Sequence, residues 1–554
     1  MIQELTAHIQ DVVKHAFDTD AEVELTRPDA QFGDFATNVA LKLSGQLGKK
    51  PRDVAEELAR GIRELDEVIE VTVAGPGFIN IRLNDTALLK LWSIKAPQTY
   101  RHQVIVTEYS DPNPFKTLHA GHLYTSVMGD AISNLVATAG GDVHRVNFGG
   151  DVGLHVGKTM WAIIKTLGGE LPEKLQDIPE NTRSEWLRDR YVEGNNAYEE
   201  RPDVQPEIKA YNKRIYELHA KNDHESAFAR IYWTCREWSY AAFDAFYERI
   251  GSGFEKYYPE SSVAERGLKE VRAQIGEVFS ESGGAVVFAG EAFGLHTRVF
   301  INGEGLPTYE AKDVGLVFTK YDDFHFDRSI VITGNEQEQY MQVVLKAIEQ
   351  FAPELARSST HLTHGMVKLA GGEKMSSRKG KILRASDVLD YANEANQATN
   401  GSADERVSLG AVKYAFLKSR MGGDIHYDPA ESVSIHGNSG PYLQYAYARA
   451  RSILDKGTVA PADPEGITFD VDERALLVKL SEYQEVLARA IQELMPHHIC
   501  TYLYELAQSF NRFYENSRIV GNPREATRLV LVDRYAHTLA SGLDILNIDA
   551  PDHL

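Results

Sequence analysis

From Gln103 to Gly150 the chain reads QVIVTEYS, then the turn-rich DPNPFKTLHAGH, then LYTSVMGDAISNLVATAGG, then DVHRVNFGG. The first and last pieces are apolar, β-branched runs of strand length. The third carries apolar residues at Leu123, Val127, Ile132, Leu135 and Val136, a helical period that closes at Gly140 and Gly141. A strand, a loop, a helix and a second strand in about fifty residues is the repeating unit of a parallel, doubly wound, Rossmann-type sheet, because parallel neighbours need a crossover. Such a sheet takes ligands at the carboxyl ends of its strands. The loop that ends at His122 is therefore where chemistry is expected.

The rest of the chain arranges itself around this unit. Residues 1–97 read as a small α+β module: an amphipathic helix from Ile2 to Phe17, a strand at VEL, a helix after Pro51, and two strands around the turn GPG. Residues 98–385 form the sheet domain. It is interrupted near 165–265 by a polar, aromatic-rich helical insertion, after which AVVF, TRVFIN, SIVITG and HGMVKL resume the sheet. Residues 386–435 are a helical linking region and 436–554 an all-helical bundle. With 554 residues, of which 43% are hydrophobic and 25% charged, the chain is long enough for several folded domains and is not a low-complexity polymer. Cys235 and Cys500 stand alone, which argues against a disulfide framework or a zinc finger and for a reducing, cytoplasmic setting. There is no leader-like h-region and no long apolar run, so no membrane association is expected. A net charge of −21 means that any nucleic-acid contact must be local.

Two segments carry candidate chemistry. In His119-Ala120-Gly121-His122 the histidines are three apart at a helix start, where free backbone N–H groups and the helix dipole favour phosphate. Gly121 lets a sugar or base approach the backbone. In Lys374-Met375-Ser376-Ser377-Arg378-Lys379-Gly380 cations and hydroxyls follow a strand and a turn, which suits a leaving pyrophosphate. Taken alone, the first is within reach of coincidence and the second reads as solvated surface. Val156-Gly157-Lys158-Thr159 resembles the end of a P-loop, but Val152 stands where the leading glycine is required, so a Walker-type site is rejected. His497 and His498 have no nearby ligand partners in sequence, and no metal site is expected.

Together the two segments resemble the HIGH and KMSKS signatures of class I aminoacyl-tRNA synthetases, and their surroundings resemble the arginyl-tRNA synthetase family. EYSDPNPFKTLHAGHL looks like that family's stretch around the first signature, and FGGDVGLHVG looks like its GDWG-type segment. Thr308 to Asp313, TYEAKD, is similar to its TYxxxD motif, and PYLQYAYAR to the start of its anticodon-binding domain. FGDFATNVALKL and AGPGFINI are similar to its extra N-terminal domain. The chain departs from the KMSKS pattern at Ser377, and it carries Lys116 just ahead of HAGH, so which of Lys116, Lys374, Arg378 and Lys379 dominates stays open.

The resemblance implies ATP-dependent activation of L-arginine and its transfer to tRNA(Arg), with ATP accompanied by Mg²⁺, no dedicated metal site, a first step that needs tRNA, and a monomer. It implies catalytic roles for His119, His122, Lys374, Lys379 and Lys116, and contacts to ATP from His119, Gly121, His122, Lys374, Met375, Ser376 and Ser377. Arginine would be bound by Glu108, Asn113, Tyr309, Asp313 and Gln337, with Asp313 and Tyr309 at the guanidinium, a fork of donors best met by carboxylate. Contacts to tRNA would come from Phe32, Asp34 and Asn38 in the N-terminal module and from Tyr442, Tyr447 and Arg449 in the bundle. Three alternatives stay open: a cysteinyl enzyme, which would need a zinc-type thiol site; a small-substrate nucleotidyltransferase, which would not need the C-terminal helices; and a non-catalytic RNA-binding paralogue, which would be expected to lose the histidines.

Overall fold

A computed structural model describes residues 2–92, 96–370, 383–460, 462 and 466–554. In the N-terminal module three strands, β1 Phe35–Thr37, β2 Val68–Ala74 and β3 Phe78–Leu83, pair antiparallel in the order β1-β3-β2. Helices Ile2–Phe17 and Pro51–Ile62 cover them with Leu5, Ile9, Val13, Val54, Leu58 and Ile62, all buried. The stretch VEL forms no strand; the chain there enters the sheet only at the single bridge Thr26–Ala36.

The central sheet is parallel and five-stranded. Its strands are β4 Val104–Glu108, β5 Asp142–Gly149, β6 Lys256–Pro259, β10 Arg328–Gly334 and β11 Ser359–His364, in the spatial order β11-β10-β4-β5-β6. The chain lays β4, β5 and β6 outward in one direction and returns to place β10 on the other side of β4. The reversal lies between β4 and β10, the switch point at which such sheets open a crevice. Helix Ala120–Thr138, the crossover from β4 to β5, starts there.

Three expectations need correction. The insertion runs from helix Leu154–Leu167 through Arg183–Glu200 and Gln205–Ala220 to Ala227–Ile250, and strand β6, within the stretch read as insertion, belongs to the main sheet. AVVF and RVFI are strands but not of the main sheet: β7 Ser280–Ser282, β8 Ala285–Phe288 and β9 Arg298–Ile301 form a separate antiparallel sheet. In HGMVKL it is β12 Val367–Leu369 that is extended, paired with β13 Ile425–Tyr427, while the main sheet ends at β11.

The C-terminal bundle consists of helices Gly440–Asp455, Val471–Ser481, Tyr483–Glu493, His497–Asn516 and Glu525–Ile545. One apolar core runs from the N-terminal module (Leu43, Ile81) through helix Ala120–Thr138 (Leu123, Leu135) into this bundle (Leu503, Leu539). A second core, with Phe115, Val156, Met160, Ile231 and Tyr232, fixes the insertion to the loop after β4. No helix among the described residues is long and apolar enough to cross a membrane.

Candidate active site

The loop from Tyr109 to His119 joins β4 to its helix, and three of its non-glycine residues take left-handed backbone: Ser110 (φ 72°), Asp111 (φ 48°) and Phe115 (φ 67°). Each such residue costs on the order of 1 kcal/mol and persists only where its surroundings enforce it. The enforcement comes largely from helix Ala227–Ile250. Tyr247 Oη and Ser110 Oγ are hydrogen-bonded at 2.8 Å, and the Phe115 N–H donates to Ser239 Oγ at 3.0 Å. From β5, the Phe148 N–H donates to Asp111 Oδ1 at 2.8 Å.

His119 is the N-cap of helix Ala120–Thr138. Its Nδ1 accepts the Gly121 N–H, and His122 Nδ1 accepts the His119 N–H, each at 3.1 Å, a reciprocal cap. The two rings stack with centroids 3.7 Å apart. With both Nδ1 atoms accepting, each neutral ring carries its proton on Nε2. Burial lowers His119 below the ordinary imidazole range; burial, His119 and Lys116 lower His122 well below it. At neutral pH the pair is two uncharged N–H donors beside the free amides of a helix start.

Lys116 reaches toward the insertion, its Nζ 5.2 Å from the centre of the Tyr191 ring. Burial lowers its ammonium pKa, against the pull of Glu260. Asn113 Oδ1 accepts the Gly150 N–H at 2.8 Å, and that contact explains GlyGly at the end of β5. A Cβ at Gly150 would lie 2.4 Å from Asn113 Oδ1, and one at Gly149 2.4 Å from the Pro112 carbonyl oxygen.

Across the switch point, helix Tyr309–Phe324 begins with Tyr309 exposed and places Asp313 one turn later, buried. Tyr340 Oη donates to Asp313 Oδ2, and burial together with Glu108 and Glu260 pushes the carboxyl up to about 8. Asp313 and Glu108 line one small cavity with Lys320, Met341 and His361. Gln337 lies exposed on the turn after β10. Glu108 departs from expectation: its buried carboxylate is bonded by Lys320 Nζ, which also reaches Ser329 Oγ at 3.0 Å, so it is engaged within the protein rather than presented to a ligand.

Among the RNA-facing candidates, Phe32 is exposed, but Asp34 is only 4% exposed and is held bidentately by Arg474 at 3.1 and 2.8 Å and by the Leu83 N–H at 2.7 Å. It is a clamp between terminal domains, which removes it from the RNA-facing set. Asn38 is the part-buried N-cap residue of helix Val39–Leu47. Tyr442 and Arg449 both bond Asn511, at 2.7 and 2.8 Å, and Tyr447 Oη donates to Asp552 at 3.2 Å. His498, taken as partnerless, bonds Glu493 at 2.9 Å. Lys374, Met375, Ser376, Ser377 and Lys379, with Arg378, lie outside the described residues.

Sequence reasoning passed over several residues that the fold brings in. Asp111 sits inside the EYSDPNP segment, raised well above the usual carboxylate range by burial and Glu108, and no cation lies within ion-pair distance of it among the described residues. Asp151 is fully buried and ties β5 to Arg236 at 3.0 Å and Ser261 Oγ at 2.7 Å. Lys312 and Glu260 form a buried pair at 2.5 Å. The first could have been found within the motif. The others are long-range pairings that no local pattern announces.

Residues 86–428 match the family described as tRNA synthetases class I (R), catalytic domain; residues 3–83 match the arginyl tRNA synthetase N-terminal domain and 443–554 the DALR anticodon binding domain. The chain is 28% identical over 577 aligned positions to an arginine–tRNA ligase of Bacteroides thetaiotaomicron, covering 96% of each, and 29% identical to one of Lactobacillus delbrueckii subsp. bulgaricus, covering 97% of this chain and 96% of the other. The solved arginyl-tRNA synthetase of Thermus thermophilus superposes with a TM-score of 0.78 at 26% identity, covering 100% of both chains. The chain thus belongs to the arginyl-tRNA synthetase family, class I aminoacyl-tRNA ligases whose reaction is the ATP-dependent joining of arginine to tRNA(Arg).

Proposed function

We propose that this reaction runs at the β4–β10 switch point, and that the neutral, stacked histidine pair at the helix start is the observation that carries the assignment. Arginine lies over the carboxyl ends of the strands. Its guanidinium meets Asp313 and Tyr309, with Gln337 alongside, and its α-ammonium meets Asn113 and Asp111. Glu108 acts through its charge behind Asp313, since Lys320 already holds it.

ATP lies against Gly121, with the Nε2–H groups of His119 and His122 directed at its phosphates and ribose. The arginine carboxylate attacks the α-phosphorus in line; the bond to the bridging oxygen breaks, and pyrophosphate leaves with its electrons. Uncharged donors already in place stabilise charge as it builds on the phosphorus oxygens without reorganising. Lys116, and from the sequence Lys374 and Lys379 with Met375, Ser376 and Ser377, serve the departing pyrophosphate. A terminal ribose hydroxyl of tRNA(Arg) then attacks the acyl carbon and AMP leaves. Mg²⁺ would travel with the ATP phosphates, held by them and by water more than by the protein; among the described residues no group of three or more His, Cys, Asp or Glu is placed to hold a metal ion.

Exposed Phe32 in the N-terminal module, and Tyr442, Tyr447 and Arg449 in the bundle, face the RNA. The protein works as a monomer in the cytoplasm, in keeping with its two buried, unpaired cysteines. ATP–pyrophosphate exchange tests the assignment: it is expected with arginine, in the presence of tRNA, and with none of the other amino acids. A folded protein that binds tRNA but supports no exchange would sink it.

A further inference from the structure

The loop that bears Asn113 is anchored at Tyr109, a fully buried residue immediately after β4. Its ring fills the space left by Gly129, where a Cβ would lie 2.1 Å from the ring. Its hydroxyl donates to Asp130 Oδ1 at 2.7 Å. Asp130 is itself buried on helix Ala120–Thr138, and its other oxygen accepts from Ser252 Oγ and, at 3.2 Å, from Asn547 Nδ2. Asn547 belongs to the C-terminal bundle, just past its last helix, in left-handed backbone (φ 54°). The same amide reaches the Gly251 carbonyl at 3.0 Å, and Lys413 Nζ donates to the Asn547 carbonyl at 2.5 Å. One turn further along helix Ala120–Thr138, Asn134 Nδ2 caps the carbonyls of Asp544 and Ile545 at 3.2 Å.

A buried carboxylate that loses a donor must find another or shift, and its remaining partners shift with it. The partner on the far side of Asp130 is Tyr109, and Ser110, Asp111 and Asn113 follow it within four residues. None of Tyr109, Asp130 and Asn547 faces the substrates in the mechanism above. We infer that Asn547 and Asp130 are positioning residues, through which the docked end of the C-terminal bundle sets the geometry of the substrate loop. The inference rests on the proposed placement of arginine at that loop.

The test uses the full chain and steady-state charging of tRNA with arginine. Asn547→Gly keeps the left-handed backbone and removes the amide. It is expected to lower kcat about tenfold, as a misplacement of well under 1 Å does at a reacting centre, with the KM for tRNA unchanged. Asn547→Asp keeps the side chain's shape but sets an oxygen against both Asp130 and the Gly251 carbonyl, and is expected to lower kcat at least as far, again with the KM for tRNA unchanged. Asn134→Ala loosens the same helix end without touching Asp130, and is expected to leave kcat near wild type. An Asn547→Gly variant with full kcat overturns the inference. So does an Asn134→Ala variant that loses as much, since docking in general would then be responsible. A wild-type protein that charges no tRNA with arginine would instead remove the reading on which the inference stands, before any variant is compared.

Discussion

Glu473 and Asp313 are both buried carboxylates on helices, and they sit at opposite ends of the titration scale. In the bundle, burial works against Glu473, but Arg524 and Arg528 bond it at 2.8 and 2.9 Å and the Asp470 N–H at 3.0 Å, holding it at about 2. At the sheet edge, burial and two neighbouring carboxylates push Asp313 to about 8, with the Tyr340 hydroxyl bonded to it. The Asp34–Arg474 clamp is likewise completed by a cation from another domain, whereas Asp111 makes no ion pair among the described residues. Where the terminal domains meet, Asp34 and Glu473 are completed by arginines within the protein. Beyond the Glu108–Lys320 pair, Asp313 and Asp111 at the carboxyl ends of the strands make no ion pair among the described residues, and under the proposed function arginine, with its two cationic groups, is what completes them.

The largest expected effect breaks the first half of this contrast. Arg474→Ala strands Asp34 and Asp85, which it also meets at 3.3 Å, and should lower stability by about 3–5 kcal/mol, read by urea unfolding. His122→Ala breaks the second half: exchange kcat should fall about 100- to 1,000-fold, while loss of the cap lowers stability by only about 1 kcal/mol. Phe32→Ala, on an exposed ring, should weaken tRNA binding by about 1–3 kcal/mol in a filter or anisotropy titration, as loss of a stacking platform does, and leave the KM for arginine unchanged. Smallest is Lys42→Ala, which removes an exposed pair with Glu24 at 3.3 Å. Thermal unfolding should show about 0–1 kcal/mol, since solvent already screens both charges.

The nucleus of the sheet was legible because β4, helix Ala120–Thr138 and β5 each carry their own period and punctuation. Strands β6 and β11 were not, since KYYP and STHLTH are short and hold little apolar alternation. AVVF and TRVFIN were readable as strands, but their partners are decided by contacts that sequence spacing does not record. The site followed the same division. His119 and His122 stack at one helix start, as their spacing in the motif suggests, while the turn of Glu108 toward Lys320 and of Asp34 toward Arg474 depends on cations 212 and 440 residues away. Asp111 was within sight in the motif and lacked only the observation that it is buried without an ion-pair partner among the described residues.

The Asp313 carboxyl holds its proton up to about 8 in the folded protein, whereas in the unfolded chain it is released near the ordinary carboxylate value. The native state therefore binds the extra proton between about pH 4 and pH 8, and this group's contribution to stability falls as pH rises through that window. A guanidinium beside it reverses the preference, so binding must release the proton. The decisive measurement is calorimetric titration of arginine into the protein at pH 6 and pH 7 in buffers of different ionisation enthalpy. The expected result is release of about one proton per arginine and a Kd about tenfold tighter at pH 7 than at pH 6, with both effects lost in Asp313→Asn. Arginine binding with no proton released and a Kd unchanged across that interval would contradict the assignment of Asp313 to the guanidinium, and with it the view that the sheet edge leaves its charge for the substrate to complete.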